Sequence, residues 1–176
     1  MAVKHTVQVG NKIIRAKAKM ASNVKTKEVR KTVVDLVDSM RHHELVGMAA
    51  PQIGQSLRIF VTEIKETKVR KGEVDPLRVF INPKLLSVSK KQALGWEGCG
   101  SVASGELFAL VRRPTTVVIE AINQKGEKFK LSAKNLLARV IQHELDHLDG
   151  IIFTDKADPK TYMGREELLK LRKKKK

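Results

Sequence analysis

Two histidines four residues apart, in His143-Glu144-Leu145-Asp146-His147, can share one metal ion if the segment is helical. On a helix, positions i and i+4 lie on one face, so both imidazoles reach the same point. Glu144 projects beside them and can take a proton from a water that the metal has made acidic. Leu136, Leu137, Val140, Ile141 and Leu148 give the segment the apolar face of a buried helix. The competing reading is two histidines placed by chance with a solvating glutamate. The helical context favours metal-assisted hydrolysis.

Two ligands are too few, because a catalytic site of this type needs three protein ligands and an open position. Phe153 stands where one class of metalloproteases carries a third histidine, which removes that class. Glu166 or Glu167 could serve as the downstream glutamate of a second class. Cys99, in Glu97-Gly98-Cys99-Gly100-Ser101, is the third option, since a thiolate is a strong ligand. A lone cysteine is by default a small buried residue. Flanking glycines argue against a core strand there. On residue types alone, the glutamates and Cys99 stay open.

The elements that must position these groups follow from periodicity. Lys25 to about Glu44 repeats Val29, Val33, Leu36, Val37 and Met40 at helical spacing. Gly47 to Gly54, with Pro51, is turn-prone, and Arg58 to Ile64 is a short β-branched strand. Glu66 to Asp75 is polar and reads as a loop. Val79 to Ser89 is extended, with a bend at Asn82-Pro83. Gly95 to Gly105 holds four glycines, a density that lets backbone approach a ligand closely. Ala109 to Ala121 and Glu127 to Ala133 form a hairpin around Asn123-Gln124-Lys125-Gly126. Ser132 is placed to cap the helix that runs through His147 and stops near Gly150. Met163 to the end reads as a final helix. The expected fold is α+β: antiparallel strands packed around a central metal-binding helix, with a C-terminal helix.

Length and composition bound the rest. The chain has 176 residues, enough for one domain and short for two, so residues 1–176 are read as one catalytic domain with a basic C-terminal helix from about 163. The 35 Lys and Arg against 19 Asp and Glu give a net charge of +16, which favours polyanions such as RNA. Five Phe, one Trp and one Tyr leave no aromatic platform for single-stranded bases. One cysteine excludes an internal disulfide and fits a reducing compartment. No apolar run is long enough to span a membrane, and no secretory signal opens the chain. The basic N-terminus, with Glu28 as its first acid, allows an organelle-targeting reading. Cytoplasmic location is favoured, because residues from Val7 onward read as folded.

A third segment, Gly47-Met48-Ala49-Ala50-Pro51-Gln52, joins Glu97-Gly98-Cys99-Gly100-Ser101 and Gln142-His143-Glu144-Leu145-Asp146-His147. In this order the three segments resemble the peptide deformylase family, over about Ile14 to Phe153. Leu45 stands where the first glycine of the first motif is usual. Gly100 stands where a larger residue, commonly Leu, is usual, and Ala103 replaces a frequent Pro.

The resemblance implies removal of the formyl group from the N-terminal formyl-methionine of newly made polypeptides. It implies a divalent metal, Fe2+ above Zn2+, Ni2+ or Co2+, held by Cys99, His143 and His147, with a metal-bound water attacking the formyl carbonyl. Glu144 is the implied general base. The Gln52 side chain and the Gly100 N–H are the implied oxyanion donors, each typically worth about 3 kcal/mol in the transition state. Val46, Leu136 and Val140 are candidates for an apolar methionine pocket, with Arg139 at its rim and backbone near Gly47 pairing with the peptide. Glu97 and Asp146 are read as orienting the ligands from behind, and Arg113 matches a family arginine. The tail Leu171-Arg172-Lys173-Lys174-Lys175-Lys176 suggests docking on ribosomal RNA, where formylated chains emerge.

Overall fold

A computed structural model describes residues 3–67 and 72–174. Residues 68–71 of the expected polar loop, and Lys175 and Lys176 of the basic tail, lie outside the described residues. The elements are α1 (Lys12–Arg15), α2 (Lys27–His42), β1 (Gly47–Ala49), β2 (Ile59–Ile64), β3 (Asp75–Val88), β4 (Gln92–Gly98), β5 (Leu107–Pro114), β6 (Thr116–Ile122), β7 (Lys128–Lys134), α3 (Asn135–Leu148), β8 (Met163–Gly164) and α4 (Arg165–Lys174). The strands form two antiparallel sheets, β1-β2-β3-β6-β7 and β4-β5-β8. The α+β expectation with a central helix holds.

Helix α3 is central because it is apolar on one side and polar-functional on the other. Ala138, Ile141, Leu145 and Leu148 pack on Phe60, Phe80, Val117, Ile119, Ala121 and Ala133 of the larger sheet. Each fully buried Ile or Leu of that stripe contributes roughly 1.5–3 kcal/mol. The stripe fixes the rotation of the helix and turns His143 and His147 the other way. The helix stops where expected: Gly150 has φ 74° and lies so close to the Arg15 carbonyl that a Cβ would sit 2.4 Å from it. Helix α2 also matches its reading, with Thr26 capping Val29 N–H.

Three expectations are corrected. Ala109 to Ala121 is not one arm of a hairpin. Pairing ends at Pro114, which has no N–H to donate, and the chain passes from β5 in one sheet to β6 in the other. Ser132 does not cap α3, because it is held in β7 opposite Val118. The N-cap is Lys134, without a side-chain cap, and Asn135 follows at φ 51°. The final helix starts at Arg165, because Met163 and Gly164 pair with Phe108 and Leu107. The bend at Asn82-Pro83 falls inside β3, where Asn82 bonds both backbone groups of Ala21 at 2.8 Å as the ladder shifts register.

Candidate active site

The end of β4, the segment after β1 and one face of α3 converge on a buried point. Cys99 follows β4 directly, at 4% exposure. Its Sγ lies 3.2 Å from His147 Nε2. The His143 and His147 rings stand edge to face with centroids 5.0 Å apart. Donor atoms of Cys99, His143 and His147 all lie within 4.8 Å of one another, and they form the one such group among the described residues. Glu166 and Glu167 sit exposed in the first turn of α4 and take no part in it. Cys99 is thereby the candidate third donor, and a thiolate with two imidazoles suits zinc or iron.

The ligands are held from behind. His143 Nδ1 lies 3.0 Å from Glu97 Oε2, which leaves Nε2 facing the site. Glu97 accepts from Arg113 Nε at 3.0 Å and Nη2 at 2.9 Å, and from Arg139 Nη1 at 2.6 Å. Arg113 also donates to Asp146 at 2.5 Å, and Lys156 closes the other Asp146 oxygen at 2.6 Å. The four contacts from His143 and the two arginines explain why Glu97 tolerates burial. Burial pushes its carboxyl up, but His143 and Arg113 outweigh that and hold it well below the usual range. In the Cys99–His143 pair, burial opposes charge on both groups. The neighbouring histidines nevertheless hold the thiol well below its ordinary value, and Cys99 and Glu97 hold His143 well above its own.

Glu144 is 3% exposed, and its Oε2 has no hydrogen-bond partner. Burial pushes its carboxyl up to about 7, against the pull of His143 and His147. Gly47 explains how it fits. A Cβ on Gly47 would lie 2.6 Å from Glu144 Oε1 and 2.8 Å from Val140 Cγ1. Gln52 accepts from Ala49 N–H at 2.7 Å through Oε1, which aims its Nε2 at Cys99 Sγ, 3.4 Å away.

Of the pocket candidates, Val140 is buried on the Glu144 face, Leu136 lies half-buried one turn earlier, and Val46 is half-buried before β1. Arg139 is turned toward the smaller sheet. Its guanidinium lies on β4 and β5, donating to Ala93 O at 2.8 Å and Val111 O at 2.9 Å besides Glu97. Glu97 lies with it behind the ligands, where the orienting part of its reading puts it. Arg113 is 3% exposed and tied to Glu97 and Asp146, not a surface charge. Sequence reading missed Thr6 and Gln8. Both touch Gly100, and short polar residues near a terminus carry no periodic signal that points there.

The Polypeptide deformylase family model matches residues 3–162. A peptide deformylase of Dictyoglomus thermophilum is 37% identical over 160 residues, covering 91% of this chain and 96% of the relative. The crystal structure of peptide deformylase from Thermotoga maritima superposes with a TM-score of 0.78 at 30% identity, covering 90% of this chain and 100% of that one. A Met-Ala-Ser-bound class I type b peptide deformylase from Acinetobacter baumannii gives a TM-score of 0.82 at 27% identity, covering 88% and 99%. The family match runs through all three motifs, so the chain belongs to the polypeptide deformylase family, whose enzymes remove the formyl group from the N-terminal methionine of newly made polypeptides.

Proposed function

We propose that Glu144 is the general base and acid of this deformylation, with Gln52 and the Gly100 N–H as oxyanion donors. The observation that carries it is the unpartnered Glu144 oxygen, buried one residue from a ligand. Cys99, His143 and His147 would hold a divalent ion, which would supply Lewis acidity toward the formyl oxygen and toward a bound water. Glu144 accepts the proton of the attacking water and returns it to the leaving amine. Gln52 Nε2, fixed by the Ala49 bond, donates to the oxygen on which charge develops.

The peptide lies between two edge strands. β1 is the edge of the larger sheet and β4 the edge of the smaller, and both end at the site. An extended peptide adds there as a strand, through backbone near Gly47 and Gly100. Val46, Leu136 and Val140 line the methionine pocket. Met-Ala-Ser bound to the A. baumannii relative supports a short peptide as the ligand.

The resident metal is ferrous iron in this reading, since thiolate and imidazole donors suit it and zinc alike. Residues 1–176 act as one catalytic domain in the cytoplasm, with the basic end of α4 docking on ribosomal RNA. Among the described residues no helix is long and apolar enough to cross a membrane. Anaerobic purification and assay on a formyl-methionyl tripeptide tests the function, with formate release expected. No release with iron, nickel, cobalt or zinc would refute it.

A further inference from the structure

The first described residues have no part in the chemistry above, yet they reach its centre. They form a strap anchored on three elements. Lys4 N–H donates to Ser39 Oγ at 2.9 Å, and its carbonyl lies 3.0 Å from His43 Nε2. Val7 N–H donates to Gln52 O at 2.8 Å, and Val9 N–H to Ser101 O at 2.8 Å. Between these anchors two side chains converge on one atom. Gly100 O accepts from Thr6 Oγ1 at 2.9 Å and from Gln8 Nε2 at 2.8 Å. Gln8 Nε2 also donates to Thr6 Oγ1 at 3.1 Å, and Gln8 Oε1 accepts from Ser104 N–H at 3.0 Å. The Gln8 amide is thereby used at both ends.

Gly100 needs outside support. It has no side chain to pack, and glycine is the residue with most backbone freedom. A Cβ there would meet Thr6 Cγ2 at 3.2 Å and Leu45 Cδ1 at 3.4 Å, so the strap and Leu45 occupy that space. Cys99 is fixed on one side of the Gly100 Cα by the metal site. The carbonyl on the other side accepts from Thr6 and Gln8, and the Ser101 N–H of the same peptide plane donates to Cys99 Sγ at 3.4 Å. A terminus tied down for its own sake needs only the backbone bonds of Val7 and Val9.

We infer that Gln8 and Thr6 are positioning residues for deformylation, fixing Gly100 so that its N–H points at the developing oxyanion. This rests on the reading of Gly100 as an oxyanion donor. Removing either donor leaves substrate binding largely intact and weakens a contact made in the transition state.

The test compares Gln8→Ala, Thr6→Val, Thr6→Ser and Gln52→Leu in the metal-loaded enzyme on a formyl-methionyl tripeptide. Bound metal is measured for each, and the Gly100 amide order parameter is measured in the zinc form. Gln8→Ala and Thr6→Val are expected to lower kcat about tenfold with KM changed less than about twofold. Bound metal stays unchanged, the Gly100 order parameter drops, and Thr6→Ser, which keeps the hydroxyl, restores kcat. If Gln52→Leu collapses kcat while Gln8→Ala does not, the strap has no positioning role. If neither changes kcat, the oxyanion reading itself falls. If metal and kcat are lost in parallel in Gln8→Ala, the strap serves the metal site and the inference is overturned.

Discussion

Glu144 and Glu97 are both buried glutamates beside His143, and their surroundings set them to opposite tasks. Glu97 is saturated by His143, Arg113 and Arg139, so it stays ionised and orients a ligand. Glu144 has an oxygen with no partner and a carboxyl pushed up to about 7, so it can exchange a proton. Glu144→Gln is therefore expected to lower kcat by about 10²–10⁴-fold with metal content unchanged, read from steady-state kinetics and metal analysis. Glu97→Gln is expected to weaken metal affinity by about 10–100-fold, read by competition with a chelator. An unchanged affinity would show that Arg113 and Arg139 orient nothing through it. Both roles were legible in the sequence, but only that of Glu144 from the residues themselves; that of Glu97 came through the family resemblance. Glu144 lies beside its histidines in the chain, whereas Glu97 lies 46 residues from His143, and pairing over such a distance leaves no local pattern. The contacts of Arg139 are hidden for a related reason: besides Glu97, its partners are backbone carbonyls of β4 and β5, which no residue type announces.

At the scale of elements, two of the three departures from the family pattern, at Leu45 and Gly100, meet in space. Leu45 replaces a usual glycine just before β1, and Gly100 replaces a usual larger residue just after β4. Their positions face each other, with Leu45 Cδ1 3.4 Å from where a Gly100 Cβ would stand. The Leu45 side chain lies against the space that a Gly100 side chain would enter. Gly100→Leu alone is expected to crowd Leu45 and Thr6, costing about 1–3 kcal/mol of stability and at least tenfold in kcat/KM. Adding Leu45→Gly is expected to restore most of both. The double-mutant cycle on thermal unfolding and kcat/KM checks it, and simple additivity would show that the two positions are independent. Periodicity could not expose this contact, because it crosses from one sheet to the other. The same crossing hid the break at Pro114, where an apolar alternation continues through a change of sheet. Helices α2 and α3 were legible because each buries a regular apolar stripe on a single neighbour, and such a stripe is written in consecutive turns of the sequence.

For the molecule as a whole, the net charge of +16 exceeds what solubility needs, and it has a directional end. Helix α4 buries Leu168, carries Glu166 and Glu167 in its first turn and Arg172, Lys173 and Lys174 in its last. That order complements the helix dipole, so part of the cationic end stabilises the helix itself. The dipole needs no run of five cations, however, and Arg172 to Lys176 extend the charge past the point where it acts. Such a run binds a polyanion by displacing counterions, and each cation that meets a phosphate adds about 0.7–0.9 to the slope of log affinity against log salt. Deleting Arg172 to Lys176 leaves a chain that is still strongly basic, so weak ribosome binding should persist while the slope falls by several units. Co-sedimentation across a salt series measures this, with kcat on a free formyl-methionyl tripeptide expected to stay unchanged because α4 lies outside the metal site. An unaltered slope would assign the tail to the helix dipole alone and place any ribosome contact on another face.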